Sequence, residues 1–313
     1  MKILKLPLLP TKATVEIDPI EPAVEPPTPI TRREHFSFSQ LTMYLRCSMQ
    51  YYFRYVLGRV EPPDIKLATG SGVHASLEWN SRHKIAKKVD MPVDDLRDLA
   101  SDMIDIEHHE VEDTPKAKGD IKDKAINAVT FYRTSQAPDI QPLAVEHPFR
   151  LTVDPDDLHP EPTLPVIGFV DTYSEIPRPQ THPGKSTRVL AVEDYKWVAQ
   201  KRSQGEVNMT PQLTLYDYVF NMQTAITTDV IGYRMFGFNS DGPYATPLYR
   251  EREYMQPGVR EMRWQRLFEQ IRRVQDAIKK GIFIPTDDAK TCGWCGYRQT
   301  CQFSLIRSHD EPR

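Results

Sequence analysis

No run of apolar residues in this chain approaches the roughly 18 needed to cross a bilayer, which excludes a membrane-spanning helix. An excess of one charge is also missing. Forty Lys and Arg against 43 Asp and Glu leave a formal net charge of −3. That excludes a polycation that coats nucleic acid by bulk charge, but not an enzyme with a local basic groove. Cysteine is scarce, with four in 313 residues. In a cytosolic protein so few cysteines seldom form disulfides, and with CxxC spacing they more often bind metal or an iron–sulfur cluster. No repeat at a fixed period is visible. The opening MKILKLPLLP has Lys2 and Lys5, but prolines follow its short apolar run where a cleavage site would stand. It does not read as a signal peptide, so the expected location is cytoplasmic or nucleoid-associated.

Proline is plentiful at the start. Seven prolines between Pro7 and Pro29 deny residues 1–34 a helix or a central strand, and this stretch reads as a disordered leader. Residues 35–313 read as a single domain in three portions: helical over 35–140, a core over 143–257, and a C-terminal helix with a cysteine cluster over 258–313. In the first portion, FSFSQLTMYLRCSMQYYFRYVLG predicts a helix with Ser39 as N-cap and Gly58 as its stop. TGSGVHASLEWNSRHKIAKK predicts another, entered through glycines, and residues 93–135 predict two more divided at Thr114-Pro115.

From residue 143 the pattern changes to strands: LAVEHPFRLTV, PVIGFVDTYSEI and TRVLAVEDYKWV, the last two joined by a turn-rich loop that implies an antiparallel connection. Thr210 and Pro211 then start a helix, two strands are expected near 229–238 and 246–255, and a helix over 258–280 closes at Gly281. The fold class is α/β, a mixed central sheet flanked by helices.

Chemistry concentrates in VEDYKW. Side chains alternate along a strand, so Asp194 and Lys196 share one face while Glu193, Tyr195 and Trp197 share the other. A carboxylate that holds a hard cation beside an ammonium that steadies developing phosphate charge suits metal-assisted attack on a phosphodiester. The triplet alone is nonspecific, and an edge-strand ion pair explains it as well. Asp171 in GFVD adds a carboxylate one strand earlier, with Gly168 allowing close approach. Gln212 and Tyr216, four apart, share a helix face. His74 is a candidate nitrogen ligand, and Glu78 lies one turn on.

The order GxxxH, GxxD, DxK, QxxxY and CxxC…C, over roughly residues 36–303, resembles the iron–sulfur branch of the RecB-like PD-(D/E)xK nucleases, the exonuclease V and CRISPR-associated type. The resemblance implies a restriction-endonuclease-like core with an N-terminal helical insertion and a C-terminal iron–sulfur staple. It implies magnesium or manganese ligands at His74, Asp171, Asp194 and the Tyr195 carbonyl, with Lys196 catalytic and Gln212 and Tyr216 orienting DNA. Ser48 stands where the family often has proline after its first cysteine.

Cys292, Cys295 and Cys301, with Cys47 as fourth ligand, suit zinc or a [4Fe–4S] cluster on chemistry alone. The one-plus-three grouping, with the resemblance, favours the cluster. Lys201, Arg202, Arg266 and Arg273 are candidate phosphate contacts. The expected function is a single-strand-preferring DNA exonuclease in repair, recombination or foreign-DNA processing, with room for a helicase or recombination partner. The alternative is a catalytically silent nuclease-fold module, binding DNA or acting as an adaptor, stapled by its four cysteines.

Overall fold

The computed structural model describes residues 35–155, 161–223 and 228–306; the proline-rich leader lies outside the described residues. The chain begins with a two-residue strand, β1 (Phe36–Ser37), and turns at once into helix α1 (Phe38–Arg46). Ser37 caps it, accepting the Gln40 N–H in the extended conformation a cap requires. The expected cap, Ser39, already lies inside the helix. Cys47 interrupts the run with an extended backbone (φ −163°, ψ 109°), and the chain resumes as α2 (Ser48–Tyr51) and a π-helical turn, Tyr52–Val56.

Helix α3 (Ile65–Lys87) starts at Asp64, whose side chain accepts the Lys66 N–H, so the glycines expected at its start are interior. One of them has a packing reason. A Cβ on Gly72 would lie 2.7 Å from the Ile104 Cα, so α4 (Val93–His108) crosses here only over a glycine. Helix α5 (Pro115–Ser135) begins as its sequence indicates, with Thr114 as cap and proline in the first turn.

One mixed sheet holds β1, β2 (Gln141–Leu151), β3 (Val166–Pro177), β4 (Arg188–Trp197), β5 (Val230–Asn239) and β6 (Gly242–Tyr249). β2–β3, β3–β4 and β5–β6 are antiparallel, while β1–β3 and β4–β5 are parallel. β6 spans 242–249 where 246–255 was expected. Gly242, at φ +108°, permits an immediate return from β5, and Arg252–Met255 form a 3-10 turn. Between β4 and the next long helix lies a short one, α6 (Gln204–Met209), fixed by a Ser203–Glu206 capping box. Helix α7 (Pro211–Gln223) follows, then α8 (Pro257–Lys279), and α9 (Ala289–Gly293) carries Cys292.

Each face of the sheet has its own core. Val73, Leu77, Ile104 and Val129 of α3–α5 pack on Val189, Ala191 and Phe236. Leu213, Val219, Leu267 and Ile271 of α7 and α8 pack on Val192 and Ile231. Residues along β4 therefore alternate between two buried cores, which is why its sequence is apolar before the charged tip. Among the described residues no helix is long and apolar enough to cross a membrane.

Candidate active site

The charged tip of β4 lies where the sheet splits. On the β4 side of β3, β1 pairs only with Val166 and Ile167, and β4 pairs only from Thr172 onward. Residues 168–171 have no strand partner there, while β4 runs on through Trp197 paired to β5 alone. Asp171 fills the fork: its Oδ2 accepts the Tyr195 N–H at 2.9 Å, so this peptide group finds a side chain in place of a strand. Gly168, expected to allow close approach, lines the groove and receives the Phe149 ring, which a Cβ would meet at 2.8 Å.

Alternation along β4 sets the rest. Asp194 is fully buried and Lys196 Nζ lies 2.6 Å from its Oδ2, a close contact that lacks hydrogen-bond alignment. On the opposite face, Glu193 pairs with Arg234 Nη2 at 2.6 Å. From α7, Gln212 Nε2 donates to Asp194 Oδ1 at 2.6 Å, and the Tyr216 hydroxyl lies 3.3 Å from both Asp171 Oδ1 and Asp194 Oδ1. Gln212 and Tyr216 thus contact the carboxylates as well as lining the groove, and Gln212 also donates to the Tyr216 hydroxyl at 3.1 Å.

His74 reaches the fork from α3. Its Nε2 is 2.9 Å from Asp171 Oδ2 and 3.4 Å from Glu146 Oε1. Glu146 was not anticipated. It stands on β2 between Val145 and His147, which pair with Thr172 and Val170, and so lies across from Asp171 in a left-handed conformation (φ +48°) rare for glutamate. His74, Glu78 and Glu146 each place a ligand atom within 4.8 Å of the others. Two buried carboxylate oxygens at the site, Asp194 Oδ2 and Glu146 Oε1, accept no hydrogen bond.

Electrostatics follow from this crowding. Burial would lower the His74 pKa, but the hydrogen bond and charge of Asp171, with Glu146 and Asp194, hold it at about 9. Burial raises Glu146 to about 7 against the opposing pull of His74. The two aspartates divide unequally. Burial and the Asp171 charge push Asp194 up to about 6, whereas His74 and Lys196 outweigh burial at Asp171 and keep it low. Lys196 is held above its ordinary value, because Asp194 and Asp171 outweigh its burial. The cluster gathers three carboxylates, Asp171, Asp194 and Glu146, against the cations of His74 and Lys196. A hard cation fits this set of carboxylate oxygens.

In front of the cluster lies a groove of about 740 Å³ lined by Lys196, Gln212, Arg202, Phe38 and Phe169. Arg202 also lines a second, larger groove beside Trp294 and Arg298. Lys201 places its ammonium 4.6 Å from the centre of the Tyr244 ring. Arg266 and Arg273 are exposed on α8 and line neither groove, and Arg273 pairs with Glu269. Of the four basic candidates, only Arg202 faces the site.

A second cluster closes the chain on itself. Cys47, Cys292, Cys295 and Cys301 line one small pocket with Met49, Phe53 and Arg298. Cys47 is presented by the break between α1 and α2, and burial raises the Cys295 thiol pKa. The chain ends are also tied by oxygen: Tyr44 donates to the Ile282 carbonyl at 2.6 Å, Ser48 to Ile284 at 2.8 Å, and Tyr297 to Arg59 at 2.8 Å. Ser48, where the resembled family often has proline, thus uses its hydroxyl as a link.

No curated protein matches the chain. The family model of the PD-(D/E)XK nuclease superfamily matches residues 35–302, which span the split sheet, the carboxylates, Lys196 and all four cysteines. A mixed six-stranded sheet flanked by helices, with Asp171 at its fork and Asp194-Tyr195-Lys196 at the strand tip, is the restriction-endonuclease-like arrangement, and the chain belongs to the PD-(D/E)XK nuclease superfamily.

Proposed function

We propose that this protein is a divalent-metal-dependent deoxyribonuclease that removes nucleotides from single-stranded ends. It would belong to the RecB-like branch whose C-terminal cysteines carry a [4Fe–4S] cluster. The observation that carries the reading is the convergence of Asp171, Asp194, His74 and Lys196 in one fork, with Glu146 beside His74. His74, Asp171, Asp194 and the Tyr195 carbonyl would hold magnesium or manganese, with Glu146 as an added ligand. A bound cation supplies Lewis-acid polarisation of the phosphate and neutralises its charge. The protein's own part is positional. Gln212 and Tyr216 fix Oδ1 of Asp194, which leaves Oδ2 facing Lys196. Lys196, about one-third exposed on the groove, is the donor poised for a phosphate oxygen, and Arg202 lies on the same groove for a neighbouring one.

The four-cysteine pocket supports a staple that joins the broken first helix to the C-terminal segment. The chemistry of four thiolates fits a [4Fe–4S] cluster and equally zinc, so the metal content of anaerobically purified protein decides between them.

The decisive experiment digests end-labelled linear single strands beside circular ones in manganese, with wild type and Asp194→Ala compared. Loss of linear DNA alone, abolished in the variant, is the expected result. Cutting of circles makes the protein an endonuclease, and equal activity in the variant overturns the assignment of the site.

A further inference from the structure

The groove beside the carboxylates carries an aromatic side chain that the catalytic cluster does not use. Phe169 is 56% exposed, two residues before Asp171, in the stretch of β3 that lacks a partner toward β4. It opposes Pro148 of β2 and lines the same groove as Lys196. Around it the aromatic residues are otherwise packed. Phe149 covers Gly168 and meets Tyr216 edge-on, Tyr216 holds the aspartates, and Phe38 rests against the core. Single exposed apolar side chains are ordinary on a protein surface, but this phenyl face stands in the groove that also presents Lys196 and Arg202, two donors for phosphate.

We propose that Phe169 is a specificity-determining residue that stacks on an unpaired base next to the scissile phosphate, and so selects single-stranded DNA. The proposal rests on the nuclease reading of the adjoining fork. A base within a duplex has both faces covered by its neighbours, and only an unpaired, unstacked one can offer a face to a side chain. Stacking is tolerant of sequence, because every base has a π-face, so this residue selects strandedness and not a motif. Lys196 and Arg202 on the same groove take the backbone while Phe169 takes the base.

The test is fluorescence anisotropy of labelled single-stranded oligonucleotides in calcium, with one abasic position moved along the strand. Wild type should lose about 5- to 150-fold in affinity when the abasic position reaches the stacking site. Phe169→Ala should show that loss on an intact strand and lose nothing further on the abasic one. Phe169→Leu, apolar but without a π-face, should behave as Phe169→Ala, and Phe169→Trp as wild type. The proposal is overturned if Phe169→Ala binds the intact strand as wild type does, if the two losses add in full, if Phe169→Leu retains affinity, or if wild type binds no single strand. Manganese digestion by the wild type is scored separately. The expected binding pattern without any cutting would sink the nuclease reading and leave the stacking site standing.

Discussion

Arg234 gives the sharpest stability test of the strand that carries Asp194 and Lys196. Glu193, fully buried beside Asp194, receives Arg234 Nε at 3.0 Å and Nη2 at 2.6 Å, and the Tyr249 hydroxyl at 2.5 Å. Arg234 is 3% exposed, also donates to Gln136, and lies 5.6 Å from the centre of the Tyr132 ring. Arg234→Met removes the cation and strands the carboxylate in the core, where Tyr249 alone remains to solvate it. Breaking a buried pair by removing one partner costs about 3–5 kcal/mol. For a domain of this size each kcal/mol lowers Tm by about 2–4 °C, so Tm should fall by about 6–20 °C. Glu193→Gln should be destabilising for the mirror-image reason. The double variant should lose at least about 1 kcal/mol less than the sum of the single ones, because neither charge is left alone. Thermal and urea unfolding of the four proteins measure this. A loss under about 1 kcal/mol for Arg234→Met, or strict additivity, refutes the claim that the two charges depend on each other.

Two further outcomes are expected. In chelator, the His74 pKa near 9 lies above the ordinary 6.5, so its stabilisation is fully present below pH 6.5 and is lost as pH rises through 9. It amounts to no more than about 3 kcal/mol. The Tm of His74→Gln should therefore approach that of wild type between pH 6.5 and 9, and manganese, which competes with that proton, should bind wild type more tightly as pH rises; a Tm gap independent of pH refutes the linkage. At the other end of the chain, Cys301→Ala should purify without iron or zinc and with a markedly lower Tm; a metal-free variant of unchanged Tm and activity would show that Tyr44, Ser48 and Tyr297 suffice to close the chain.

The strand that carries Asp194 and Lys196 was legible in the sequence because alternation is a local rule. Given VEDYKW on a strand, Asp194 and Lys196 must share a face, and they do. Thr114-Pro115 and Thr210-Pro211 were legible for the same reason, since capping is decided within four residues. What escaped depends on pairing between distant segments. Glu146 joins His74 through a left-handed residue within β2, and no pattern in LAVEHPFRL announces that conformation. The fork cannot be read from β3 or β4 alone, because it arises from where β1 stops and β4 begins pairing. Ser37 and Ser39 are equally good caps by residue type, and the two-residue strand before α1 decides between them. Gln212 and Tyr216 share the helix face that the spacing indicates, and their hydrogen bonds to the aspartates depend on how that helix packs against β3 and β4.

The open stretch of β3 also bears on how variants of this protein behave. A sheet edge with free peptide groups is a template for another chain, and proteins ordinarily blunt such edges with charge. Here Asp171 does so from within, occupying the Tyr195 amide that a foreign strand would otherwise recruit. Removing its carboxylate to silence the chemistry also uncovers a sticky seam, so an Asp171→Ala stock would be prone to self-association during storage. Asp194 and Lys196 guard no such amide, and substitutions there make the cleaner inactive reagent for trapping DNA.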